Sequence, residues 1–147
     1  MALAWLLSGE SRAAAQQATE IGLEALATFA EPGAVVGGGY AALRTSERVR
    51  LAGLLGAGLS RGALAWRAEA VGHFLVSPEP RRRWGVYLAG GLAAVGGPVT
   101  RGYMVLGLGI EQRPMARSGW AGEVGVGGGV RVALGFRWRR FRPPWRQ

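Results

Sequence analysis

Residues 119–141 read GWAGEVGVGGGVRVALGFRWRRF, with a large apolar residue at almost every second position. Trp120, Val124, Val126, Val132, Leu134, Phe136 and Trp138 form one file, and Glu123, Arg131 and Arg137 stand in the other among glycine and alanine. A side-chain period of two belongs to an extended strand, whose successive residues point to opposite faces. The Gly127-Gly128-Gly129 triplet breaks the run, and a turn there makes it a hairpin. With the turn centred on Gly128, Glu123 and Arg131 become diagonal neighbours on one face, and an ion pair between them is expected.

The same pattern extends outward from this hairpin. Segments near 19–30, 34–44, 49–60, 63–76, 83–95, 102–112, 119–127 and 130–141 are separated by turn chemistry such as Glu31-Pro32-Gly33, Arg61-Gly62 and Gly96–Arg101. In segment four Leu64, Trp66, Ala68, Ala70 and Phe74 alternate with Ala65, Arg67, Glu69, Val71 and His73; in segment six Met104, Leu106, Leu108 and Ile110 alternate with Tyr103, Val105, Gly107, Gly109 and Glu111. Segment two, AVVGGGYAALR, is ambiguous because both of its files are small or apolar. A two-residue turn at Arg61-Gly62 predicts the register Leu59 with Leu64, Ala57 with Trp66 and Leu55 with Ala68, which keeps the large residues together. The rival reading, a helix through SERVRLAGLLGAGLSRGALAWRAEAVGHFLV, would hold Gly53, Gly56, Gly58, Gly62 and Gly72 at about 1 kcal/mol each relative to alanine.

The chain's 147 residues suit one domain. All 18 basic residues are arginine, all 9 acidic residues are glutamate, and Lys, Asp, Asn and Cys are absent. Codon bias toward Gly, Ala and Arg accounts for part of the +9 charge, which otherwise points to nucleic acid or an anionic membrane surface. Lack of cysteine excludes a disulfide scaffold and a thiolate metal site. No run of 18 apolar residues is free of charge or glycine, so a transmembrane helix is not expected. Residues 1–18, with an apolar run at 2–7 and Ala13-Ala14-Ala15 before Gln16, read as an export signal or a flexible N-terminal segment. The domain then covers 19–141, and 142–147 form a basic tail.

Eight antiparallel segments of this length close most simply into an up-and-down barrel. In a soluble, lipocalin-like barrel the apolar file would point inward around an apolar ligand. In a transmembrane barrel it meets lipid, and the other file fills the lumen. That second file holds Glu24, Arg67, Glu69, His73, Glu111, Glu123, Arg131 and Arg137 among small residues, which suits a narrow interior where carboxylates and guanidiniums pair. Trp66, Trp84, Trp120, Phe136 and Trp138 lie toward segment ends, as interfacial aromatics do. The expected fold is therefore an all-β, eight-stranded antiparallel transmembrane barrel, with the soluble barrel as the alternative.

In strand number, alternation and last strand, residues 19–141 resemble the small eight-stranded bacterial outer-membrane barrels of the OmpA/OmpX-like group. The last strand, VRVALGFRWRRF, resembles that group's C-terminal assembly signal, with Val132, Leu134, Phe136 and Trp138 facing lipid and Phe141 as its terminal aromatic. The resemblance implies the bacterial outer membrane as location, with membrane lipid and the outer-membrane assembly machinery as partners. It concerns architecture, and the role expected from it is structural, adhesive or that of a narrow pore.

Alternation and turns also sort the arginines. Arg44, Arg48 and Arg50, Arg81 to Arg83, Arg113 and Arg117, and Arg139, Arg140, Arg142 and Arg146 fall at the end carrying the C-terminus and read as a basic rim, set against Arg61 and Arg101 at the other. The aromatic and basic FRWRRFRPPWRQ is expected to lie at the membrane interface, and nucleic acid is not an expected partner. Neither is catalysis. The single histidine, His73, lacks the closely spaced serine and acidic partner of outer-membrane lipid A deacylases, whose size and fold are similar. Scattered glutamates do not make a metal site, and GGGY and VGVGGGVR lack the lysine and strand-to-helix context of a phosphate loop. No cofactor is expected.

Overall fold

A computed structural model describes residues 18–30, 33–76 and 82–141; the export-signal reading of the N-terminus up to residue 17 and the tail at 142–147 lie outside them. The strands are β1 (Ala18–Phe29), β2 (Ala34–Arg44), β3 (Val49–Ser60), β4 (Ala63–Leu75), β5 (Trp84–Gly96), β6 (Arg101–Gln112), β7 (Ser118–Val126) and β8 (Val130–Phe141). Each pairs antiparallel with its neighbour in sequence, and β8 pairs with β1 from Ala18 opposite Phe141 to Phe29 opposite Val130. The sheet thus has no free edge. The predicted segments match the described strands to within a residue at either end.

Turn chemistry sets the registers. Arg61 and Gly62 adopt φ of 51° and 78°, the left-handed pair that a two-residue hairpin needs to match strand twist. Leu59, Ala57 and Leu55 accordingly face Leu64, Trp66 and Ala68, as predicted. At the last hairpin Gly128 and Gly129 take φ of 79° and 121°, and Gly125 comes opposite Arg131. The ambiguous β2 resolves into an inward file of Val36, Gly38, Tyr40, Ala42 and Arg44 and an outward one of Val35, Gly37, Gly39, Ala41 and Leu43.

Closing only eight strands coils them tightly, and neighbouring backbones meet inside. Gly38 stands opposite Gly56 on β3, where a Cβ would collide with the Leu55 carbonyl oxygen and the Gly56 Cα. At the outward Gly37 a Cβ would meet nothing within 4 Å. Apolar residues contribute two small internal clusters, one of Val71, Leu75, Tyr87, Ala89, Ala93 and Val105 and another of Leu26, Leu54 and Ala133.

Candidate functional site

The lumen holds the charged groups. Glu24, Arg67, Glu69, His73, Glu111, Glu123, Arg131 and Arg137, all predicted for the inner file, are buried inside the barrel. Glu20, Arg44, Arg50 and Arg139 join them there. The rim reading of Arg44, Arg50 and Arg139 is therefore corrected. They lie at the expected end, but their inward parity turns the side chains onto buried carboxylates instead of solvent.

Near the C-terminal end, Glu20 and Glu111 anchor one ionic layer. Arg50 Nη1 reaches Glu111 Oε2 at 2.9 Å and Glu20 Oε2 at 3.2 Å, Arg139 Nη2 donates to Glu111 Oε2 at 3.0 Å, and Arg44 Nη2 lies 3.4 Å from Glu20. The second layer, toward the opposite mouth, gathers around Arg131. Its Nη2 and Nε donate to the Glu69 oxygens at 2.7 and 3.1 Å, its Nη1 pairs with Glu123, and Glu24 lies at 3.7 Å. Arg67 Nε also donates to Glu69, at 2.5 Å, and its Nη2 to the Gly127 carbonyl at 3.0 Å. The predicted Glu123–Arg131 pair forms as the register required.

Between the layers sit His73, Tyr40 and Tyr87. Arg50 Nε donates to His73 Nδ1 at 3.0 Å, and His73 Nε2 lies 3.6 Å from Glu123. The Arg137 guanidinium lies 4.3 Å from the Tyr40 ring centroid, and that of Arg50 lies 5.0 Å from Tyr87. Ring faces supply partial negative charge to these cations, and Arg50 Nη2 and Arg137 Nε make no hydrogen bond among the described residues. Tyr87 occupies the space that a Cβ would need at Gly109, directly opposite.

The buried charges nearly cancel: Arg44, Arg50, Arg67, Arg131, Arg137 and Arg139 against Glu20, Glu24, Glu69, Glu111 and Glu123. Such compensation is what makes ionised groups tolerable in a low-dielectric interior. It also crowds the lumen with side chains. A cavity of about 220 Å³ at the mouth opposite the C-terminus, rimmed by Arg61, Arg101 and Tyr103, reaches Thr28 and Arg67. Below, the space beside Glu24, Tyr40, His73, Glu123 and Arg131 is about 10 Å³, room for about one water.

The outer wall is the opposite kind of surface. Leu64 is 76% exposed, Met104 72% and Leu55 68%, values that in a soluble core would be reversed. Val132, Leu134 and Trp138 also face out, and Phe136 is half-buried between Trp120 and Trp138 through edge-to-face contacts at 5.1 and 5.0 Å. Phe141, at the end of β8, is half-buried. Along the described strands the one charge on the outward file is Arg140, near the end of β8; Arg101, exposed at the start of β6, shares the inward file of Tyr103 and Val105 and sits at the mouth.

Among solved structures, the barrel matches the crystal structure of the N-terminal β-barrel domain of Pseudomonas aeruginosa OprF, with a TM-score of 0.68 and 16% identity, over 86% of this chain and 99% of that one. This chain has the OprF barrel's fold. The expected likeness to small eight-stranded barrels is thereby met, and the OprF match rests on architecture with little shared sequence. No protein-family model and no curated protein matches the sequence.

Proposed function

We propose that the protein is a small β-barrel of the bacterial outer membrane whose lumen is sealed, with a structural role and no enzymatic one. The observation that carries this is the inversion of the barrel: apolar side chains cover its outside and paired charges fill its inside. Strands of 12 residues are roughly 40 Å long at about 3.3 Å per residue and, tilted by about 40°, stand about 30 Å high, the thickness of a hydrocarbon core. The fold shared with the OprF domain supports the same reading. An apolar ligand of the lipocalin kind would find charges where it needs a greasy pocket. Membrane lipid is then the partner of the wall, and β8 with its Val132, Leu134, Phe136, Trp138 and Phe141 file is the segment offered to the assembly machinery.

Structural service fits better than adhesion, because the four connections opposite the C-terminus are short, Arg61-Gly62 being the shortest. Absence of catalysis is supported by His73, whose Nδ1 is occupied by Arg50 and whose ring packs 4.7 Å from Tyr87. Of the arginines in FRWRRF, Arg137 and Arg139 are committed to the lumen, which weakens a nucleic-acid role. Refolded into detergent or vesicles, the protein is expected to migrate differently on gels before and after boiling and to resist extraction with urea. Recovery in the aqueous fraction without detergent overturns the proposal. In planar bilayers no stable conductance step is expected; a persistent one would replace the sealed barrel with the narrow pore.

A further inference from the structure

Resting on the reading of the barrel as membrane-spanning, we propose that the outer seam between β8 and β1, at the C-terminal end, binds the phosphate headgroup of an anionic glycerophospholipid. The closing register sets Thr19 opposite Arg140 and, two residues nearer the middle of the barrel, Ile21 opposite Trp138, all facing outward. The β6–β7 connection leans against this seam: the Arg139 amide donates to the Arg117 carbonyl at 2.7 Å, which fixes where Arg117 leaves the backbone. Between them runs an open groove of about 990 Å³, with Arg117 and Arg140 in its lining and Ile21, Trp138, Met115 and Phe141 supplying apolar surface.

Charge selects the occupant. Of the three arginines in the lining Arg139 is buried in the lumen while Arg117 and Arg140 are exposed, and no carboxylate lines the groove, because Glu20, Glu24, Glu69, Glu111 and Glu123 are all spent inside the lumen. Guanidinium donors match phosphate oxygens in geometry as well as sign. The apolar side continues into the girdle of Ile21, Leu23 and Trp138, a path for acyl chains that free phosphate would leave unused. The chain's own residues 142–147 bring Arg142 and Arg146, of the same sign as the groove, and a second copy would bring the same basic end.

The test uses the full chain refolded in micelles, native mass spectrometry, and equimolar short-chain phosphatidylglycerol and phosphatidylethanolamine. Phosphatidylglycerol is expected to bind preferentially, and Arg117→Gln/Arg140→Gln, both exposed positions, to weaken it on the order of 30-fold without altering heat-modifiable migration. Inorganic phosphate at millimolar concentration is expected not to displace it. Equal binding of the two lipids, a loss under about threefold in the variant, displacement by inorganic phosphate, or binding that emerges only when residues 142–147 are deleted or the barrel is kept from dimerising would each overturn the site. A chain that never enters micelles or vesicles would refute the membrane reading itself. One that inserts but does not discriminate between lipids would refute only the groove.

Discussion

Arg131→Met is expected to cost the barrel about 3–5 kcal/mol of unfolding free energy, the range for removing one partner of a buried ion pair. Arg131 is held by Glu69 through two hydrogen bonds, pairs with Glu123 and faces Glu24. Without it, three carboxylates in the mouthward layer are left with Arg67 on Glu69, a 3.7 Å contact between Arg137 and Glu24, and the His73 imidazole 3.6 Å from Glu123. Methionine fills much of the space but returns no charge, so the loss is electrostatic rather than steric. Urea titration in detergent followed by tryptophan fluorescence reads it. The double variant Arg131→Met/Glu123→Gln is expected to regain about 0.5–3 kcal/mol, the range of coupling between contacting residues. A loss below about 1 kcal/mol for the single variant would place Glu69 and Glu123 in contact with water. The lumen would then be wet, and the sealed barrel would give way to the narrow pore.

Gly38→Val is expected to prevent the barrel from closing at all, while Gly37→Val, one residue away, folds normally. At Gly38 the new Cβ would fall on the backbone of β3, at the Leu55 carbonyl and the Gly56 Cα. Backbone, unlike a flexible side chain, cannot swing aside, and displacing it breaks the β2–β3 register along with the pairs on either side. At Gly37 the side chain would point outward with nothing within 4 Å, and a β-branched residue suits a strand. Heat-modifiable migration and near-UV circular dichroism after refolding separate the two outcomes. Folding of both variants would mean that the strands do not approach as closely at Gly38 as the structure has them.

How legible was this in the chain? Alternation identified the strands, and the inner file followed wherever a charge stood well inside a segment, as with Arg67, Glu69 and Glu123. It failed near the ends. Arg44, Arg50 and Arg139 lie within two residues of a strand terminus, where a basic residue reads as naturally for a solvated rim, and Glu20 sits three residues into β1. The signal that could have found them is parity: Arg139 shares a file with Arg137, and Arg50 with Ala52 and Leu54. Glutamate at position 20 was a further clue, because a carboxylate so close to the strand start required arginine partners at the same height.

What the amino-acid order determined alone is everything with a local cause. Period two places consecutive side chains on opposite faces, and positive-φ turns at Arg61-Gly62 and Gly128-Gly129 set the register of adjacent strands. Glu123 and Arg131 could be paired from that alone, being neighbours across one hairpin. Arg131 with Glu69, on β8 and β4, and Arg50 with Glu111, on β3 and β6, could not. Those strands are not neighbours in the sheet, and their side chains meet only because closure fixes the diameter and the stagger, bringing opposite walls within reach of an arginine. Tertiary structure therefore decided which charges compensate one another, and with that whether the lumen is sealed.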